Sequence, residues 1–125
     1  MYEQLLLHLV GDYITQTEKM AQDKTKNGWW TLVHCILYTL PFTFIVDSYL
    51  ALSVIFCTHY FIDRYRLARY VIFFKNKITD NSLCWEDCKG TGFHKDTPPW
   101  LAFWLMIIVD NTLHLVINYL SIAYL

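Results

Sequence analysis

Positive charge is missing from most of this sequence. All ten Lys and Arg residues lie in two stretches, Lys19–Lys26 and Arg64–Lys95, and neither the ends of the chain nor its apolar runs carry one. The cations flank hydrophobic segments and no nucleic-acid motif accompanies them, so a nucleic-acid partner is excluded. Cysteine is also sparse: four scattered residues are too few for a disulfide scaffold. Cys35 and Cys57 sit in apolar runs and read as packing residues. Cys84 and Cys88 bracket a polar Trp-Glu-Asp, with His94 following. A zinc site there would lack its fourth ligand, so paired or free surface thiols are the plainer reading. The opening Met-Tyr-Glu-Gln has neither the basic start nor the small-residue cleavage site of a secretory signal. There are no repeats or low-complexity tracts.

What the chain does have is apolar and aromatic side chains, 55% and 18% of its 125 residues, against 17% charged. That balance exceeds an ordinary soluble domain's and points to membrane. One domain, 1–125, is expected, an all-α integral membrane four-helix bundle with helices near 2–20, 29–46, 48–74 and 98–125 and a polar loop at 75–97. Three of these approach the ~20 residues that cross a hydrocarbon core. Trp29 and Trp30 start the second helix where an interfacial belt wants them, and Pro41 is placed to kink it. Pro98–Pro99 opens the last. Every cation lies in the first connector and the 75–97 loop or in the helix ends that lead into them, so the positive-inside rule puts both termini outside the cytoplasm of a bacterial inner membrane. A soluble helical bundle is the alternative, and it leaves the charge asymmetry without a cause.

Set into these segments are three His/Asp pairs at helical spacing: His8–Asp12, His59–Asp63 and, in reverse order, Asp110–His114. Residues four apart share one helix face. Helices one and three run inward and helix four outward, so reversing the motif keeps a single layering. His8, His59 and His114 stack above Asp12, Asp63 and Asp110, the layers ~6 Å apart. His34 in the second helix lies deep enough to complete a ring. Unpaired carboxylates at membrane depth repel one another, and a divalent cation removes that penalty. Imidazole with carboxylate suits zinc first, and manganese or iron where oxygen ligands dominate. The candidate ligands are His8, Asp12, His34, His59, Asp63, Asp110 and His114, with Asp12, Asp63 and Asp110 also the candidate catalytic carboxylates. A polar packing core and a proton or ion path remain open readings. Asn111 and Asn118 read as hydrogen-bond donors to the ligands. His94 reads as a solvated loop residue.

With these residues laid out, the chain resembles a family of small integral membrane proteins of bacteria and their phages. The shared pattern is H-x-x-x-D-x-x-x-Q (His8, Asp12, Gln16), Met20-Ala21, Lys24, a second-helix histidine (His34), H-x-x-x-D-R (His59, Asp63, Arg64) and D-x-x-x-H (Asp110, His114). More distantly it is similar to YdjM-type membrane-bound metal-dependent hydrolases, which implies water activation at a metal. The expected function is therefore an integral-membrane metal-dependent hydrolase. A site within the inner leaflet favours an amphiphile such as a phospholipid or polyprenyl phosphate, with Lys24, Arg64 and Arg66 near its headgroup. Two other classes stand beside it. One is a metal-ion or proton transport element, as a homo-oligomer with the His/Asp layers lining a path. The other is a non-catalytic membrane factor, such as a phage product that binds a host membrane protein and uses the metal as a staple.

Overall fold

The expected helices form, but three of the four are interrupted. A computed structural model describes residues 2–125, and among these no residue is in a strand. α1 spans Tyr2–Leu9 and widens into a π turn over Val10–Ile14, where the Thr15 N–H reaches back to the Val10 carbonyl at 3.0 Å. Gly11 makes room for this turn: a Cβ there would lie 2.6 Å from Tyr38 Cδ2. Thr15 Oγ1 then donates to the Gly11 carbonyl at 2.9 Å, satisfying an acceptor that the turn displaces. α2 follows at Glu18–Asp23, capped by Thr17, whose hydroxyl accepts from the Met20 N–H. α3, Gly28–Thr39, starts on Asn27, whose carbonyl oxygen accepts from the Trp29 N–H at 2.9 Å.

Pro41 cannot continue the α ladder, and the chain tightens into a 3-10 turn over Leu40–Phe44. α4 spans Tyr49–Tyr65 and α5 Leu67–Thr79. The single helix expected over 48–74 is thus divided at Arg66, whose φ of 52° is left-handed. A short α6, Trp85–Cys88, lies inside the expected polar loop, and α7 runs unbroken over Pro99–Tyr124.

The chain packs as two compact units. The first runs to Tyr65 and takes in His114–Leu125; the second is Arg66–Leu113. The first unit's core is Tyr38, Phe42, Val46, Ala51 and Ile55, with Leu7, Ile45, Leu52 and Ile122 against it. Ser48 Oγ donates to the Leu125 carbonyl at 2.9 Å, and the Arg64 guanidinium donates to the carbonyl of Thr25. In the second unit Ala68, Ile72, Phe73 and Cys88 are buried. The Trp85 ring stacks on Tyr70, ring centres 4.7 Å apart, and meets Phe73 edge-on. Arg66 is held in its left-handed conformation by donating to the Gly90 carbonyl at 2.9 Å. Gly92, at φ 88°, lies against the Arg69 carbonyl, where no side chain fits.

Beside its apolar core the first unit buries a set of polar side chains and leaves large apolar ones exposed. His8, His34, His59, His114 and Asn118 are buried, while Leu6, Ile14, Phe44 and Leu50 are exposed. α7, largely uncovered along its length, is the one helix among the described residues long and apolar enough to cross a membrane.

Candidate metal centre

Each of the four helical segments that meet inside the first unit contributes two side chains one turn apart. His8 and Asp12 come from α1 and its π turn, His34 and Tyr38 from α3, His59 and Asp63 from α4, and His114 and Asn118 from the last turns of α7. All eight are buried. Two of these pairs are the His/Asp pairs that the sequence displays. In the other two the histidine is followed one turn on by an uncharged residue, a tyrosine or an asparagine.

Four atoms converge. His34 Nε2 lies 3.2 Å from Asp12 Oδ1 and 3.1 Å from Asp63 Oδ2. His59 Nε2 lies 3.4 Å from the same Asp12 oxygen and 3.3 Å from the same Asp63 oxygen. The two Nε2 atoms are 3.0 Å apart. A tetrahedron of ligands around an ion with bonds of about 2.0 Å has edges of about 3.3 Å, close to the spacing seen in all five contacts. Protons alone satisfy this arrangement poorly. Neutral imidazoles carry one N–H each, so the nitrogen–nitrogen contact takes a proton that the carboxylates then lose. Asp12 Oδ1 is buried and receives no aligned N–H from the described residues. A divalent cation serves all four atoms at once. The site is thus a buried Asp/His cluster able to hold a metal ion.

The surrounding groups fix the ligands. Lys24 Nζ donates to Asp63 Oδ2 at 2.8 Å, compensating one carboxylate. The other Asp63 oxygen, Oδ1, lies 3.3 Å from His114 Nε2. His114 Nδ1 in turn meets His59 Nδ1 at 3.1 Å. With Nε2 as the ligand atom, His59 donates from Nδ1 to His114 Nδ1, and His114 Nε2 faces Asp63 Oδ1 without an aligned hydrogen bond. An outer hydrogen bond such as the one from His59 sets the tautomer of a ligating imidazole. Tyr38 stacks on His59, ring centres 3.6 Å apart and planes 17° from parallel. Its phenol oxygen accepts from Asn118 Nδ2 at 2.6 Å and donates to His8 Nδ1 at 2.9 Å.

The expected layers of His over Asp therefore interleave: His34 and His59 touch both carboxylates directly. His8 is in the row behind, 3.5 Å from Asp12 Oδ2, and His114 backs Asp63 and His59. Asp110 is half-buried and belongs to the second unit, one turn before His114 along α7. Lys24, expected near a lipid headgroup, contacts Asp63, while Arg64 and Arg66 bond backbone carbonyls. Sequence reasoning misses Tyr38 altogether. Its one signal is its place four residues after His34, on the face of α3 that the histidine occupies. Among the described residues Cys84, Cys88 and His94 form no ligand group, and Cys84 and Cys88 are free thiols.

Residues 1–124 match the family described as protein of unknown function DUF3307. The chain belongs to that family. No curated protein and no solved structure matches it. The fit to this DUF3307 family spans all four helical segments that supply the cluster, so the site belongs to the matched region as a whole.

Proposed function

We propose that this DUF3307 chain is an integral-membrane metal-dependent hydrolase of a bacterial inner membrane. In this reading it crosses the bilayer four times with both termini on the non-cytoplasmic side, and it acts on an amphiphile such as a phospholipid or polyprenyl phosphate. The observation that carries it is the convergence of Asp12, His34, His59 and Asp63 at tetrahedral spacing within a buried interior. The membrane part is supported by the polar side chains buried in the first unit and the large apolar ones left exposed there, the long apolar α7 and the confinement of cations to two stretches. Two nitrogens and two carboxylate oxygens in a tetrahedron suit zinc best.

A divalent ion in this site supplies Lewis acidity, bringing a water toward a neutral pKa. The protein's own residues divide the remaining work. Asp63 is tied to Lys24 and His114 and acts as a fixed ligand. Asp12 is held less, with one oxygen 3.5 Å from His8 and the other without an aligned donor among the described residues, so it is the ligand that would yield its corner of the tetrahedron to a water and take that water's proton as general base. His34 and His59 hold their geometry through packing and stacking on Tyr38.

The test is turnover in nanodiscs carrying a phospholipid or a polyprenyl phosphate. Hydrolysis that a chelator abolishes, and that Asp12→Asn lowers by about 10²-fold or more, supports the reading. A transport element is the second reading, favoured by the buried polar side chains Gln4, Asn118 and Ser121 that continue beyond the cluster. Ion flux into proteoliposomes without lipid turnover would select it.

A further inference from the structure

The polar face of the first helix extends past the cluster. Gln4, His8 and Asp12 follow one another at four-residue spacing, each ~6 Å further along the axis. All three are buried, Gln4 with 9% of its surface exposed. Gln4 Oε1 has no hydrogen-bond partner among the described residues, a costly state for a side chain that merely packs. Gln4 also lines a cavity of about 140 Å³ with Glu3, Ile45, Tyr119, Ile122 and Ala123. Glu3 brings the one charge among those residues, and it is negative. At Asp63 the Lys24 ammonium, itself 19% exposed, is paired to the carboxylate at 2.8 Å, and a fixed positive charge there opposes the approach of a cation past it.

We infer that the Glu3–Gln4 cavity is the mouth through which a divalent cation reaches the buried centre. This rests on the metal reading above. Glu3 attracts the ion, the Gln4 carbonyl oxygen replaces one of its waters, and the His8 Nδ1 lone pair, held at rest by the Tyr38 hydroxyl, takes it next before it passes to Asp12. Oxygen and nitrogen donors in single file let the ion cross an apolar interior without being stripped of ligands at any point. The mouth is assembled from the N-terminal turn of α1, the end of the 3-10 turn and the C-terminal turns of α7. Under the proposed topology that is the non-cytoplasmic end.

The experiment is the rate at which Zn²⁺ loads metal-free protein in zwitterionic-lipid nanodiscs, followed by stopped-flow competition with a fluorescent chelator. Gln4→Leu should load slower by on the order of tenfold or more, since a desolvated ion loses a polar step. Its final zinc content should equal wild type. Removing an unsatisfied amide should leave the melting temperature of the loaded protein equal or higher, which separates this outcome from misfolding. Ala123→Trp, which fills the mouth without touching a polar group, should slow loading in the same way. Glu3→Gln should lower the rate and flatten its salt dependence. Wild-type loading rates in both Gln4→Leu and Ala123→Trp would overturn the inference while leaving the metal centre intact. Failure of wild type to take up zinc at equilibrium would overturn the metal reading itself.

Discussion

Two lysine–aspartate pairs of nearly equal length sit in the two units of this molecule. Lys24–Asp63 in the first unit is 2.8 Å long and Asp63 has 3% of its side chain exposed. Lys95–Asp87 in the second is 2.7 Å long and Asp87 is 37% exposed. Distance alone would rank them as equals. The medium separates them. Water screens the second pair, so it contributes little and loses that little in salt. In the first, both charges have lost much of their water, and the carboxylate also faces three imidazoles. Such a pair is not retained for its net strength, because desolvation offsets most of the attraction. It persists where the charges do something, and here one oxygen of Asp63 is also a metal-ligand candidate.

The sharpest way to break the comparison is to neutralise each carboxylate. Asp63→Asn leaves Lys24 buried without its counter-charge and takes a ligand from the cluster. A loss of about 3–5 kcal/mol of stability is expected, together with the bound metal. Thermal melting in detergent checks it; unchanged melting would mean that the interior is not the low-dielectric network described. Next in size is Tyr38→Phe, which removes one hydroxyl and leaves His8 Nδ1 and Asn118 Nδ2 without it. A loss of roughly 1–3 kcal/mol is expected in the same melting measurement, with the His59 stacking retained and metal still bound.

Asp87→Asn should have the smallest effect. Lys95 beside Asp87 holds that carboxyl below its usual range. A depressed folded value means that its stabilisation is present above the unfolded pKa and disappears as pH falls through the folded one. Because the group is so open to water, the expected outcome is no resolvable change in melting at neutral pH. Any difference on acidification should vanish in 0.5 M salt, chosen to be about an order of magnitude above the ionic strength at which such surface pairs act.

The i, i+4 histidine–aspartate spacings make much of the site legible in the sequence, because that periodicity puts both side chains on one face wherever a helix forms. What they do not convey is which pairs meet. His34 enters only as the member completing a ring, since its partner one turn on, Tyr38, is uncharged. Asn118 is legible as a donor on the His114 face, but the group it donates to is the Tyr38 hydroxyl, which carries no signal of its own. The contact of Lys24 with Asp63 joins residues 39 apart in the chain and has no local signature. The helix breaks divide along the same line. Pro41 announces its own interruption through its ring. The break at Arg66 does not, because an arginine takes a left-handed conformation only when tertiary contacts such as Gly90 hold it there. The π turn that carries Asp12 likewise depends on how closely Tyr38 approaches Gly11.

The central claim is the four-atom centre, and the most direct measurement is metal content by mass spectrometry of protein purified in mild detergent without chelator. Wild type should carry about one tightly bound divalent transition metal per chain, since four ligands at tetrahedral spacing make one site. His34→Ala and His59→Ala should each lose it, whereas His94→Ala should keep it. No metal in wild type, or metal retained in both His34→Ala and His59→Ala, would contradict the account.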